Sequence, residues 1–107
     1  MSRESLGHFE LLVLLALLRS REEAYGVPIA RAIEESCGRP VILASVYNTL
    51  ERLEQKGLVR SAVGEPTAER GGRAKRYFEI TAAGMRDVRA AKKALTQLWR
   101  GIPVHEG

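Results

Sequence analysis

Leu43-Ala44-Ser45-Val46-Tyr47-Asn48-Thr49-Leu50-Glu51-Arg52-Leu53-Glu54-Gln55-Lys56-Gly57 is the stretch on which the fold turns. Leu43, Val46, Tyr47, Leu50 and Leu53 recur at steps of three or four, which predicts a helix over residues 44–56 with those side chains facing inward. Gly57 then supplies a left-handed C-terminal cap. The opposite face presents Ser45, Asn48, Thr49 and Arg52: short hydrogen-bonding side chains and one guanidinium, with no carboxylate among them. Such a face suits a DNA major groove, where Asn pairs with adenine and Arg with guanine. An ordinary solvated helix face would carry the same polar residues, so this stretch alone does not decide between the two. Glu51 and Glu54 are expected on other faces, away from any phosphate.

Working outward, residues 6–19 predict a first helix with two apolar stripes. One comprises Phe9, Leu12, Val13, Ala16 and Leu17, the other Leu11, Leu14, Leu15 and Leu18. A helix apolar all round must be covered on both sides, and in a short chain a second subunit can supply one cover. A second helix runs from Tyr25 or Gly26 to Ser36, with Pro28 in its first turn and Gly38 and Pro40 ending it. Downstream, residues 58–63 and 76–80 read as strands of a hairpin whose Gly- and Pro-containing tip is residues 64–75. Thr81 is an N-cap for a last helix over residues 82–100. There Met85, Val88, Lys92, Leu95, Trp99 and Ile102 form a short seam of the kind by which helices pair.

Two helices, a third, then a basic hairpin give the order of a winged helix-turn-helix. The expected fold is mainly α with a small β-hairpin, plus a C-terminal dimerisation helix. Residues 1–80 form the DNA-binding part and residues 81–103 the dimerisation helix, within a single structural domain.

Composition narrows the function. The chain has 107 residues, 45% hydrophobic and 28% charged, which is globular and room for one domain. Its longest apolar run, Leu11–Leu18, is far short of the roughly 20 residues a membrane span needs, and no signal-peptide pattern precedes it. Cys37 is the single cysteine, which suits a reducing cytoplasm. Residues 1–56 sum to −1 and residues 57–107 to +5 within a net charge of +4. A basic half on a near-neutral body points to a polyanion, nucleic acid or a membrane surface. Arg70, Arg73, Lys75 and Arg76 around Gly71-Gly72 place cations on the hairpin, where they can reach phosphates; together with the third helix they favour DNA. The principal rival from another class is a winged helix that docks a protein partner.

Several motifs in order carry a resemblance over residues 6–100. Leu6-Gly7-His8-Phe9-Glu10 and Ala24-Tyr25-Gly26 resemble the opening of PadR-type transcriptional regulators. Val46-Tyr47-Asn48-Thr49-Leu50-Glu51-Arg52-Leu53-Glu54-Gln55-Lys56-Gly57-Leu58-Val59 is similar to their recognition-helix signature. Gly71-Gly72-Arg73-Ala74-Lys75-Arg76-Tyr77-Phe78 and Ile80-Thr81-Ala82-Ala83-Gly84 resemble their wing and the start of their final helix. The resemblance implies a homodimeric repressor of the short subclass, without a large C-terminal domain, that binds an inverted repeat. It makes Tyr47 the recognition-helix tyrosine, expected to be part of the core with its hydroxyl near a phosphate, and Arg73, Lys75 and Arg76 the wing cations. Many members have a Gly-Thr-Leu-Tyr-Pro run where this chain has Ala44-Ser45-Val46-Tyr47-Asn48, so no operator sequence carries over.

DNA contacts are therefore expected from Ser45, Tyr47, Asn48, Thr49, Arg52, Arg70, Arg73, Lys75 and Arg76. Leu11, Leu15, Met85, Val88, Leu95, Trp99 and Ile102 are expected at the dimer interface. Trp99 reads first as a large knob in that seam. In some short members of the family, paired final-helix tryptophans instead form a slot for a planar effector. No cofactor and no metal are expected: His8 and His105 lie far apart and Cys37 has no partner. The glycine-rich tip lacks the Gly-Lys-Ser/Thr end of a phosphate loop, and no catalytic motif is recognisable, so the chain does not read as an enzyme.

Overall fold

The computed structural model describes residues 6–64 and 75–103. Helix α1 spans His8–Ser20 and is followed by a single 3-10 turn, Arg21–Glu23. Then come α2 (Gly26–Cys37), α3 (Leu43–Gln55), strands β1 (Val59–Val63) and β2 (Arg76–Ile80), and α4 (Ala82–Trp99). The strands pair antiparallel, Val59 opposite Ile80 and Val63 opposite Arg76. The winged helix-turn-helix order expected from the sequence is the order observed.

Each element ends where its residues require. Gly38, at φ 72°, closes α2 and donates its N–H to the Glu34 carbonyl at 2.8 Å. Thr81 caps α4 by accepting the Gly84 N–H at 3.1 Å, while its own hydroxyl donates to the Gly57 carbonyl at 2.7 Å. Gly84 is buried where a Cβ would collide with the Leu58 carbonyl, so only glycine lets α4 start so close to the α3–β1 junction.

The core is shared by all of these elements. Val13, Leu14 and Leu17 of α1, Ile29 and Ile33 of α2, and Val46, Leu50 and Leu53 of α3 are buried together. Leu58, Val59, Phe78 and Val88 close it from the hairpin and α4. Ala24 joins the hairpin from the other side, its carbonyl accepting the Phe78 N–H at 2.8 Å.

Two expectations about packing need correction. Leu43 is exposed; it opens the first turn of α3, before that helix reaches the core. Val88 is buried in the chain's own core and is therefore withdrawn from the dimer seam. The seam is divided because α4 outruns the body it packs on: Gly84 and Val88 are covered, whereas every residue from Lys92 to Pro103 is exposed.

Candidate nucleic-acid interface

On α3 the solvent-facing side chains, besides Leu43, are Ala44, Ser45, Asn48, Glu51, Arg52 and Gln55. Ser45 and Asn48 make no side-chain hydrogen bond with any described residue and stand open on the first two turns. Thr49, expected beside them, is only 2% exposed. The reason is periodicity: Val46, Thr49, Leu50 and Leu53 follow i, i+3, i+4, i+7, so Thr49 belongs to the inward stripe despite its hydroxyl. That hydroxyl lies 3.4 Å from Arg52 Nη2.

Arg52 is anchored rather than free. Its Nε donates to Glu10 Oε2 at 3.1 Å, and Lys56 Nζ lies 3.1 Å and 2.9 Å from the two Glu10 oxygens. Glu10 is 5% exposed and sits in the first turn of α1, where its carboxylate also accepts the Gly7 N–H at 2.8 Å. Burial alone would raise its pKa; the Gly7 N–H, Lys56 and Arg52 outweigh that and hold it below the ordinary carboxylate value of 4.5. The carboxylate thus fastens the start of α1 to the last turns of α3. Sequence reasoning did not single it out, although a lone Glu three residues after Gly7, within an apolar helix, was a signal.

Tyr47 is half-buried and its ring lies against the first turn of α2. A Cβ at Gly26 would collide with that ring, so Gly26 provides the space that lets α2 and α3 cross here.

On the wing, Arg76 Nη2 is 2.7 Å from Glu54 Oε1, its Nε is 3.2 Å from Ser61 Oγ, and Glu51 is 3.9 Å away. The two glutamates expected on other faces, away from any phosphate, are the ones that hold Arg76, and through it β2, against α3. Arg60 pairs across the strands with Glu79 at 3.0 Å. Lys75 is exposed, 4.5 Å above the Tyr25 ring and 3.3 Å from the Tyr25 hydroxyl, which raises its pKa above the usual 10.5 and keeps it cationic. Tyr25 in turn meets Tyr77 edge to face at 5.5 Å. Arg70 and Arg73 lie outside the described residues.

Of the expected interface set, Leu11 and Met85 are half-buried, Leu15 is exposed on α1, Leu95 and Trp99 are exposed on α4 with Leu98 beside them, and Ile102 is exposed just beyond its end. Among the described residues no helix is long and apolar enough to cross a membrane, and no group of three His, Cys, Asp or Glu side chains is placed to hold a metal ion.

Three helices, a two-stranded wing and a trailing helix define a winged-helix regulator. The model of the PadR-like family of transcriptional regulators matches residues 14–90, and the chain belongs to that family. Solved structures share the fold. A PadR family transcriptional regulator from Eggerthella lenta is 29% identical, with 84% of this chain and 76% of that one aligned at a TM-score of 0.65. RosR of H. salinarum is 24% identical over 95% and 84% of the two chains, at a TM-score of 0.70. A PadR family regulator from Clostridium difficile is 22% identical over 86% and 91%, at 0.68. No curated protein matches the chain.

Proposed function

We propose that the chain is a cytoplasmic, homodimeric repressor that binds an inverted repeat in duplex DNA through α3 and the wing. The observation that carries this reading is the start of α3. Ala44, Ser45 and Asn48 are exposed, and the N-terminal residues of a recognition helix are those that reach base edges. Lys75 stands ready for phosphate contact, and Tyr47 keeps the angle between α2 and α3. Arg52 reads a base only while it shares its guanidinium with Glu10, and Arg76 reaches phosphate only in competition with Glu54. Thr49 has no part in the contact.

The dimer reading rests on α4. Leu95, Leu98, Trp99 and Ile102 are exposed, Trp99 at 67%, on a chain whose radius of gyration is 15.9 Å. A compact chain of this length would measure about 13 Å. Covering such side chains is worth roughly 1.5–3 kcal/mol each, and a second copy offering the same face does so symmetrically. Leu15 of α1 extends that face. Two Trp99 rings meeting across the axis would also supply a flat slot for a small aromatic effector that releases the repressor.

Asn48→Ala tests the groove contact. It is expected to cost about 1–3 kcal/mol on the preferred duplex and to relax selection at one base position, leaving affinity for random DNA unchanged. Equal losses on both duplexes in a titration would remove Asn48 from base reading.

A further inference from the structure

We propose that the outward face of α4 is a second, sequence-independent surface for the phosphate backbone of duplex DNA. This rests on DNA being the partner but uses a part of the molecule that the recognition helix and wing do not. At 100° per residue, Arg86, Arg89, Lys93 and Arg100 fall within about 60° of one another around α4. Val88, Leu95, Leu98 and Trp99 occupy the opposite side, so a second copy covering the apolar face leaves the cations in water.

Three further observations separate these cations from an ordinary solvated face. The first is pairing. Arg52, Lys56, Arg60 and Arg76 are each held by a glutamate. Arg86, Arg89, Lys92, Lys93 and Arg100, like Arg19, Arg21, Arg31, Arg39 and Lys75 elsewhere, make no ion pair with a described residue; the α4 set differs in lying together within residues 86–100. The second is the sum. Residues 82–103 contain those five cations and one acid, Asp87, giving +4, which equals the formal charge of the whole chain. The remaining formal charges sum to zero, so residues 82–103 carry the chain's net positive excess. The third is spacing along the helix. Arg86 with Arg89, and Arg89 with Lys93, are like charges three and four residues apart, an arrangement that opposes helix formation. It gains the fold nothing and suits a polyanion that neutralises the row. Arg86 to Arg100 is 14 residues, about 21 Å of helix, the length of about six phosphates along one DNA strand. A membrane surface fits less well, because an interfacial helix buries its apolar face in lipid and that face is the one offered to the second copy.

The test is binding of a labelled random-sequence duplex across a salt series. The wild type is compared with a variant carrying Arg86→Gln, Arg89→Gln, Lys93→Gln and Arg100→Gln. All four sites are exposed and glutamine is a good helix former, and circular dichroism verifies folding. The variant is expected to bind at least about tenfold more weakly at moderate salt, with a log–log salt slope reduced by about 2–4. Arg100→Gln alone is expected to lower the slope by about 1. Preference for the selected sequence over random DNA is expected to persist. Unchanged slope and affinity overturn the proposal while leaving the recognition helix intact. Loss of sequence preference, or loss of binding only on anionic vesicles, overturns it too. A wild type that ignores duplex DNA overturns both this surface and the proposed function.

Discussion

Glu10→Ala is expected to destabilise the chain by about 2–3 kcal/mol, a loss of roughly 10–20 °C in Tm for a domain of this size. The carboxylate is almost wholly buried and accepts from the Gly7 N–H, Arg52 Nε and Lys56 Nζ. Removing it leaves a helix N–H without its acceptor and two cations facing each other across an empty site. A fully buried pair broken in this way costs about 3–5 kcal/mol. Arg52 is about half exposed and Lys56 a quarter exposed, so water screens part of that loss. The measurement is urea unfolding at fixed protomer concentration, because a dimer's stability depends on concentration. A change below 0.5 kcal/mol, the range of an ordinary surface substitution, would show that Glu10 does not fasten α1 to α3. The pH dependence follows with its sign. The folded pKa is lowered, so the stabilisation is complete above the unfolded value near 4.5 and is lost as pH falls through the folded value. The stability gap between wild type and Glu10→Gln should therefore be constant at neutral pH and shrink in acid.

Leu95→Asp is expected to weaken self-association at least about a hundredfold, because each copy would place an unpaired carboxylate in an apolar contact. Leu95 is exposed within the chain, so its substitution should leave the fold of the protomer intact. Sedimentation velocity should move from the mass of two chains to the mass of one, and emission from the sole tryptophan, Trp99, should shift towards that of a fully hydrated indole. An unchanged mass would move the interface off the end of α4.

Local signals carried most of the architecture. Gly38, Gly57 and Thr81 mark ends that depend on a few neighbouring residues, and the Arg76–Ile80 strand runs directly into the Thr81 cap. Periodicity erred where polarity and position disagreed. Thr49 lies in the inward register of α3, yet its hydroxyl suggested the outward face, while Leu43 is apolar but stands at the first turn. The Glu10 site was illegible for another reason. Its partners are 42 and 46 residues away in sequence, and no pattern on one helix reports which other helix will supply them. The same holds for Arg76, whose charge suggested a free wing cation until Glu54, on a separate element, was seen to hold it. Along α4 one seam crosses two environments. The repeat at Met85, Val88, Leu95 and Trp99 is continuous in sequence, but the body of the chain covers only its first turns.

Selection of bound duplexes from a random pool tests the central proposal most directly. Two recognition helices related by a two-fold axis should enrich an inverted repeat whose half-sites are about one helical turn apart, or a multiple of it. Enrichment of a single non-repeated half-site, or of no sequence at all, would contradict a dimeric repressor reading DNA through Ser45 and Asn48.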